Sequence, residues 1–136
     1  HEMMRTLAKM VYSSLILGGA FVGFIPHDEW IVSKLQRSGI YESSVCKITG
    51  NPPLQIGSSY KFTLSDCIVD CPEYYVPFSD FVSCMTEVGL KYEGSHKLSH
   101  WTEKEDLRQC MNANIPLTQD EREVADMYVS FAFRKE

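Results

Sequence analysis

The sequence predicts an α/β domain: the carboxy-terminal half of an open sheet, with a strand pair projecting from it. Three observations point there. Apolar spacing switches repeatedly between the helical period and strict alternation. A short apolar run, Ala20 to Ile25, is closed by Pro26. Met127 to Phe133 alternates as a strand with two unlike faces. At 136 residues, 44% hydrophobic and 12% aromatic, the chain has the size and apolar content of one packed domain rather than a disordered segment.

The elements follow in order. Met3, Met4, Leu7, Met10, Val11 and Leu15 recur at steps of three and four, which predicts the end of an amphipathic helix with that stripe on a sheet. Gly18-Gly19 stops it. Ala20 to Ile25 then reads as a buried parallel strand covered on both faces. Asp28 is placed to cap a helix from about Glu29, with Ile31, Val32 and Leu35 inward and Gly39 at its end. Val45–Ile48 and Tyr60–Leu64 are short alternating runs on either side of the Gly50-Asn51-Pro52-Pro53 turn, so they form the projecting pair. Phe78, Phe81, Val82, Met85 and Val88 make a second helical stripe ending at Gly89, and Leu90 to Glu93 alternates as a strand. Ser95 to Glu123 is charged and broken by Pro116, with room for a short helix near residues 103–111.

Charge and cysteine content narrow the function classes. Thirteen basic and eighteen acidic residues give a net charge of −5, which argues against a broad phosphate-gripping face. Any RNA contact should be local. Five cysteines without a Cys-x-x-Cys pair indicate neither a disulfide framework nor a zinc ribbon, and favour a reducing compartment. The longest apolar run, Leu15 to Pro26, is shorter than the roughly 20 residues a bilayer span requires. The charged first residues do not fit a secretory signal.

The stretch from Tyr60 to Phe81 holds the candidate site. Pro72 and Pro77 bracket Glu73-Tyr74-Tyr75-Val76 and forbid a continuous helix, so Glu73 is expected among aromatics where a strand gives way to a loop. Taken alone, a glutamate in such a loop is more often a surface residue. His96 and His100 stand four apart and could share a metal or simply be solvated; Asp66 and Asp70 could be a carboxylate pair or turn residues.

Three blocks carry a family resemblance. Phe62, Leu64, Val69, Asp70, Pro72, Glu73, Tyr74 and Val76 form one. The second is Leu17 to Gly23 with Ile25-Pro26, where Phe24 and Leu17 depart from the pattern. The third is Leu117 to Glu121 with Ala125, Tyr128, Val129, Phe131, Ala132, Phe133 and Lys135. In this order and spacing the chain resembles the carboxy-terminal half of the mRNA cap (guanine-N7) methyltransferases. The resemblance implies a Rossmann-like S-adenosylmethionine-dependent methyltransferase fold, with residues 1–136 as its carboxy-terminal part and the strand pair as an insertion.

It also implies a reaction: methyl transfer from S-adenosylmethionine to N7 of the guanine capping an RNA 5′ end. N7 is a neutral nitrogen with a free lone pair, so alignment and electrostatics suffice and no catalytic base or metal is assigned. By the same resemblance Glu73 accepts hydrogen bonds from the guanine N1 and N2 donors, Tyr128 lines the guanine site and Pro26 packs beside it. Taken alone, Tyr128 is open between core and pocket. The implied partners are 5′-capped RNA and a capping enzyme or a missing amino-terminal half, with no membrane and no DNA. The implied location is nuclear, or cytoplasmic where a virus or parasite caps RNA there. The glycine-rich turn that would hold S-adenosylmethionine is absent from this sequence. The rival expectation is therefore a non-catalytic methyltransferase-like subunit or cap-binding module.

Overall fold

The described strands form two antiparallel sheets, each packed on one face against helices. The computed structural model describes residues 2–102, 104, 107, 109 and 116–136. The chain runs α1 (Glu2–Ser14), β1 (Ala20–Pro26), α2 (Asp28–Leu35), β2 (Ile40–Glu42), β3 (Cys46–Gly50), β4 (Ser59–Leu64) and β5 (Ile68–Tyr74). It continues through α3 (Phe78–Glu87), β6 (Leu90–Lys97), α4 (Leu98–Thr102), α5 (Gln119–Ala125) and β7 (Tyr128–Lys135). One sheet has the order β1-β7-β6, the other β2-β3-β4-β5. The helix expected near residues 103–111 rests mostly on residues outside the described set.

Strand β7 organises the first sheet. Val129, Phe131 and Phe133 are buried, whereas Tyr128, Ser130 and Ala132 on the opposite face are half-buried, as the alternation requires. Phe131 and Phe133 pack with Ala8 of α1, Phe81 and Met85 of α3 and Leu90 of β6 into one core. Strand β1 departs from expectation. It pairs antiparallel with β7, and Val22 and Phe24 are 67% and 56% exposed, so it is neither parallel nor covered on both faces. An unbroken apolar run does not reveal its partner, and β7 lies more than a hundred residues downstream.

Helix α1 also turns differently from its apolar stripe. Ala8, Val11, Tyr12 and Leu15 face the core, while Met3, Leu7 and Met10 face outward. Its last turn is fixed by Lys135, whose Nζ donates to the Tyr12 and Leu15 carbonyls at 2.8 Å each and sits 4.2 Å from the Tyr12 ring centre. A cation on orphan carbonyls is the favourable sign at a helix C-terminus.

The expected strand pair is present as β3 and β4, antiparallel, but β2 and β5 extend it to four strands. Its buried side, Cys46, Ile48, Tyr60 and Phe62, joins Ile31 and Leu35 of α2 and Met127 in a second core. In α2 the N-cap position is His27, not Asp28; Asp28 lies in the first turn, where its charge suits the helix dipole. The helix ends at Leu35, and Gly39, at φ +70°, donates its N–H to the Leu35 carbonyl at 2.8 Å.

Helix α5 is clamped to the second sheet and its helix and leads into β7. Its start is a capping box: Thr118 accepts from the Glu121 N–H, and the Glu121 carboxylate accepts from the Thr118 N–H at 2.7 Å. Asp120 accepts from the Ser44 amide at 2.9 Å, and Glu123 accepts from Lys34 Nζ and Tyr41 Oη at 2.8 Å each. Lys34 in turn lies 4.6 Å from the Tyr41 ring centre. This clamp sets where Met127 and Tyr128 leave the helix.

The Glu123 carboxyl is held below its ordinary 4.5, first by the Lys34 bond and then by the Tyr41 bond. Its contribution to stability is thus complete above about pH 4.5 and is lost as pH falls below that through the lower folded value. Glu123→Gln should melt earlier than the parent at pH 7, and the gap should narrow below pH 4.5. With Glu123 36% exposed, solvent screening keeps the effect small. A gap that stays constant from pH 7 to pH 3 in thermal melts would assign the clamp no electrostatic role.

Candidate functional site

At the seam between the sheets, the ends of β1, β5 and β7 and the start of α2 enclose a cleft of about 400 Å³. Pro26, Glu73 and Tyr128 all line it, with Ile31 beneath and Tyr60, Tyr75 and Asp28 around the wall. The three residues singled out from sequence therefore stand in one place. A cleft of this size, mostly apolar with few polar groups, suits a small planar ligand.

Glu73 reaches the cleft by a specific register. It sits in β5, one residue before the strand ends, rather than in a loop. Pro72 is tolerated there because β5 is an edge strand. Between Phe62 and Leu64 the β4–β5 pairing shifts by one residue, so Leu64 faces Ile68 but Phe62 faces Cys71 and Tyr60 faces Glu73. Without that shift Pro72 would stand opposite Tyr60, and Glu73 would turn to the outer face. Asp66 and Asp70 shape the hairpin: both have positive φ, 63° and 48°, and the Asp70 N–H donates to Thr63 Oγ1 at 3.0 Å. They serve the turn.

The cleft polar groups are coupled. Tyr60, 1% exposed, donates from its hydroxyl to Glu73 Oε2 at 2.7 Å. Burial, then the nearby Glu73 carboxylate, pushes the Tyr128 phenol up to about 12, so it remains a neutral donor across physiological pH. Tyr75 is also raised, first by burial and then by Asp28 and Asp80. Tyr128 is anchored by its neighbours, because the His27 N–H donates to the Met127 carbonyl at 2.7 Å and Pro26 lies opposite Tyr128 in the register.

The remaining sequence candidates lie elsewhere. His96 and His100 stack at 4.4 Å beside Trp101, whose Nε1 donates to Ser130 Oγ at 2.9 Å. Among the described residues no group of three His, Cys, Asp or Glu is arranged for a metal. The described cysteines are free thiols, and no described helix is long and apolar enough to cross a membrane.

The residues present do not fit S-adenosylmethionine. The β1–α2 connection is His27 alone, and Gly18-Gly19 lead into a strand instead of opening a helix. Among the described residues no glycine-rich turn opens a helix.

A family model, the mRNA (guanine-N(7))-methyltransferase domain, matches residues 1–136. The chain belongs to that family. A relative from Arabidopsis thaliana, mRNA cap guanine-N(7) methyltransferase 1, is 32% identical across 96% of the chain and 42% of its own length. The mRNA cap guanine-N(7) methyltransferase of Saccharomyces cerevisiae is 29% identical across 98% of the chain and 38% of its own length. The chain thus spans about two fifths of these methyltransferases. Among solved structures, a Listeria monocytogenes protein assigned as an S-adenosylmethionine-dependent methyltransferase aligns with TM-score 0.58 and 17% identity, covering 97% of this chain and 55% of its own. The fold is an α/β methyltransferase fold, and the described sheets of this chain are antiparallel.

Sequence reasoning missed Tyr60, Asp28 and Ile31 as walls of the site. Tyr60 carried a signal, since it alternates with Phe62 and is separated from Glu73 by one hairpin. Asp28 and Ile31 carried none, because only the packing of α2 against the second sheet brings them there.

Proposed function

We propose that the chain is the guanine-side, carboxy-terminal part of an S-adenosylmethionine-dependent mRNA cap (guanine-N7) methyltransferase. The observation that carries this is the meeting of Glu73, Tyr128 and Pro26 in a single aromatic cleft. An ionised carboxylate accepts on two oxygens, which suits the adjacent N1 and N2 donors of guanine. The tyrosines offer the ring faces and neutral hydroxyls. Methylation at N7 leaves the ring cationic, and Glu73 and Asp28 are carboxylates lining the cleft that would hold it. Family membership and the names of the relatives support the reaction and the capped-RNA substrate.

On this reading S-adenosylmethionine is held by residues outside this chain, in an amino-terminal half. A capping enzyme is the natural partner. A nuclear location, or a cytoplasmic one for a virus or parasite that caps RNA there, belongs to the same proposal. The test is methyl transfer by the full-length protein to RNA bearing an unmethylated guanosine cap, with digestion to locate the methyl at N7. Cap binding without transfer would favour the non-catalytic module instead.

A further inference from the structure

We infer that Tyr60 is a positioning residue that aims the Glu73 carboxylate at the guanine edge, an inference that rests on the guanine reading of the cleft. Glu73 stands on an edge strand between exposed Pro72 and Tyr74, a setting in which a long side chain keeps its rotamer freedom. Among the described residues, the bond that fixes it is from the Tyr60 hydroxyl to Oε2, at 2.7 Å. Tyr60 is itself immobile: its ring is 1% exposed within the core formed by Ile31, Ile48, Phe62 and Met127. The register shift in the β4–β5 hairpin sets the two residues opposite each other on the same face.

The division of the carboxylate matters. Its two oxygens offer about four lone-pair sites. Tyr60 takes one, on Oε2, and among the described residues no hydrogen bond engages Oε1. A pair of parallel N–H donors can then be met at once by Oε1 and by the second site of Oε2, with the carboxylate already oriented. Fixing it in advance reduces the ordering cost at binding, so the benefit should appear in substrate affinity. Burial first, and then the bond to Glu73, raise the Tyr60 phenol above its usual range, so it stays a donor at any working pH.

Tyr60→Phe removes the hydroxyl and keeps the buried ring. In the full-length protein it should raise KM for guanosine-capped RNA by about three- to tenfold, with kcat within about twofold and KM for S-adenosylmethionine unchanged. In a Glu73→Ala background, where there is no carboxylate to aim, the same change should alter kcat/KM by less than about twofold. An equal loss in both backgrounds would overturn the inference, since the hydroxyl would then act through the fold. A loss from Glu73→Ala with none from Tyr60→Phe would overturn the inference alone. Normal KM in the Glu73→Ala single variant would overturn the guanine reading, and the inference with it.

Discussion

Glu73→Gln in the full-length protein should lower methyl transfer to guanosine-capped RNA by more than tenfold while leaving S-adenosylmethionine affinity unchanged. The glutamine keeps the shape of the side chain, and its oxygen can still accept from the Tyr60 hydroxyl 2.7 Å away. What changes is the group left for the ligand: an NH₂ donor now faces guanine's own donors. Two charge-assisted bonds become one mismatch inside a partly desolvated cleft, at a cost of about 2–4 kcal/mol. The fold should survive, because Glu73 is half-buried and Tyr60, the core residue bonded to it, keeps an acceptor in the glutamine oxygen. Steady-state kinetics with each substrate varied in turn separate the two affinities. Normal activity on capped RNA would remove Glu73 from the guanine site.

The largest effect on stability is expected at Phe133. Its ring is fully buried and packs against Phe21, Phe81, Tyr92 and Phe131, with centres 5.3 to 6.5 Å apart. Phe133→Ala removes the contact that joins β7 to β1, β6 and α3 together, and should cost about 3–5 kcal/mol. For a domain of this size that is a drop of roughly ten degrees or more in melting temperature. Tyr128, on the opposite face of the same strand, gives the contrast. It lines the cleft and is only half-buried, so Tyr128→Ala should lower activity more than its loss of stability explains. Thermal melts of both variants test the pair. A Phe133→Ala protein melting within two degrees of the parent would mean that this core tolerates a void, contrary to its packing.

How much of this was legible in the sequence depended on whether the signal was local. Strand β7 was legible because its two faces differ in residue type along one continuous run. Helices α2 and α3 were legible because Ile31 and Leu35, and Phe81 and Met85, repeat at helical spacing and are buried. Strand β5 was not: Asp70 at positive φ and Pro72 look like loop residues, and only an edge position with a bulge makes them part of a sheet. The apolar run of β1 announced a strand but not its partner or its open face. For α1, the apolar stripe mixed residues of two faces: Val11 and Leu15 face the core, whereas Met3, Leu7 and Met10 face outward.

The site divides the same way. Glu73, Tyr128 and Pro26 were found through a resemblance, since no local rule brings together residues so far apart in the chain. The capping box of Thr118 and Glu121 was readable from its spacing and went unread as a cap, although it starts the helix that delivers Tyr128. Tyr60 looked like ordinary core. Its ring is core, and its hydroxyl is what reaches the cleft.

The most direct measurement is a crystal structure of the full-length protein with an unmethylated guanosine cap dinucleotide. The guanine should lie against Pro26 and Tyr128, with N1 and N2 each about 2.7–3.1 Å from the Glu73 carboxylate oxygens and Tyr60 still bonded to Oε2. A guanine seated elsewhere, with Glu73 bonded to Tyr60 alone, would contradict the assignment of this cleft to the cap.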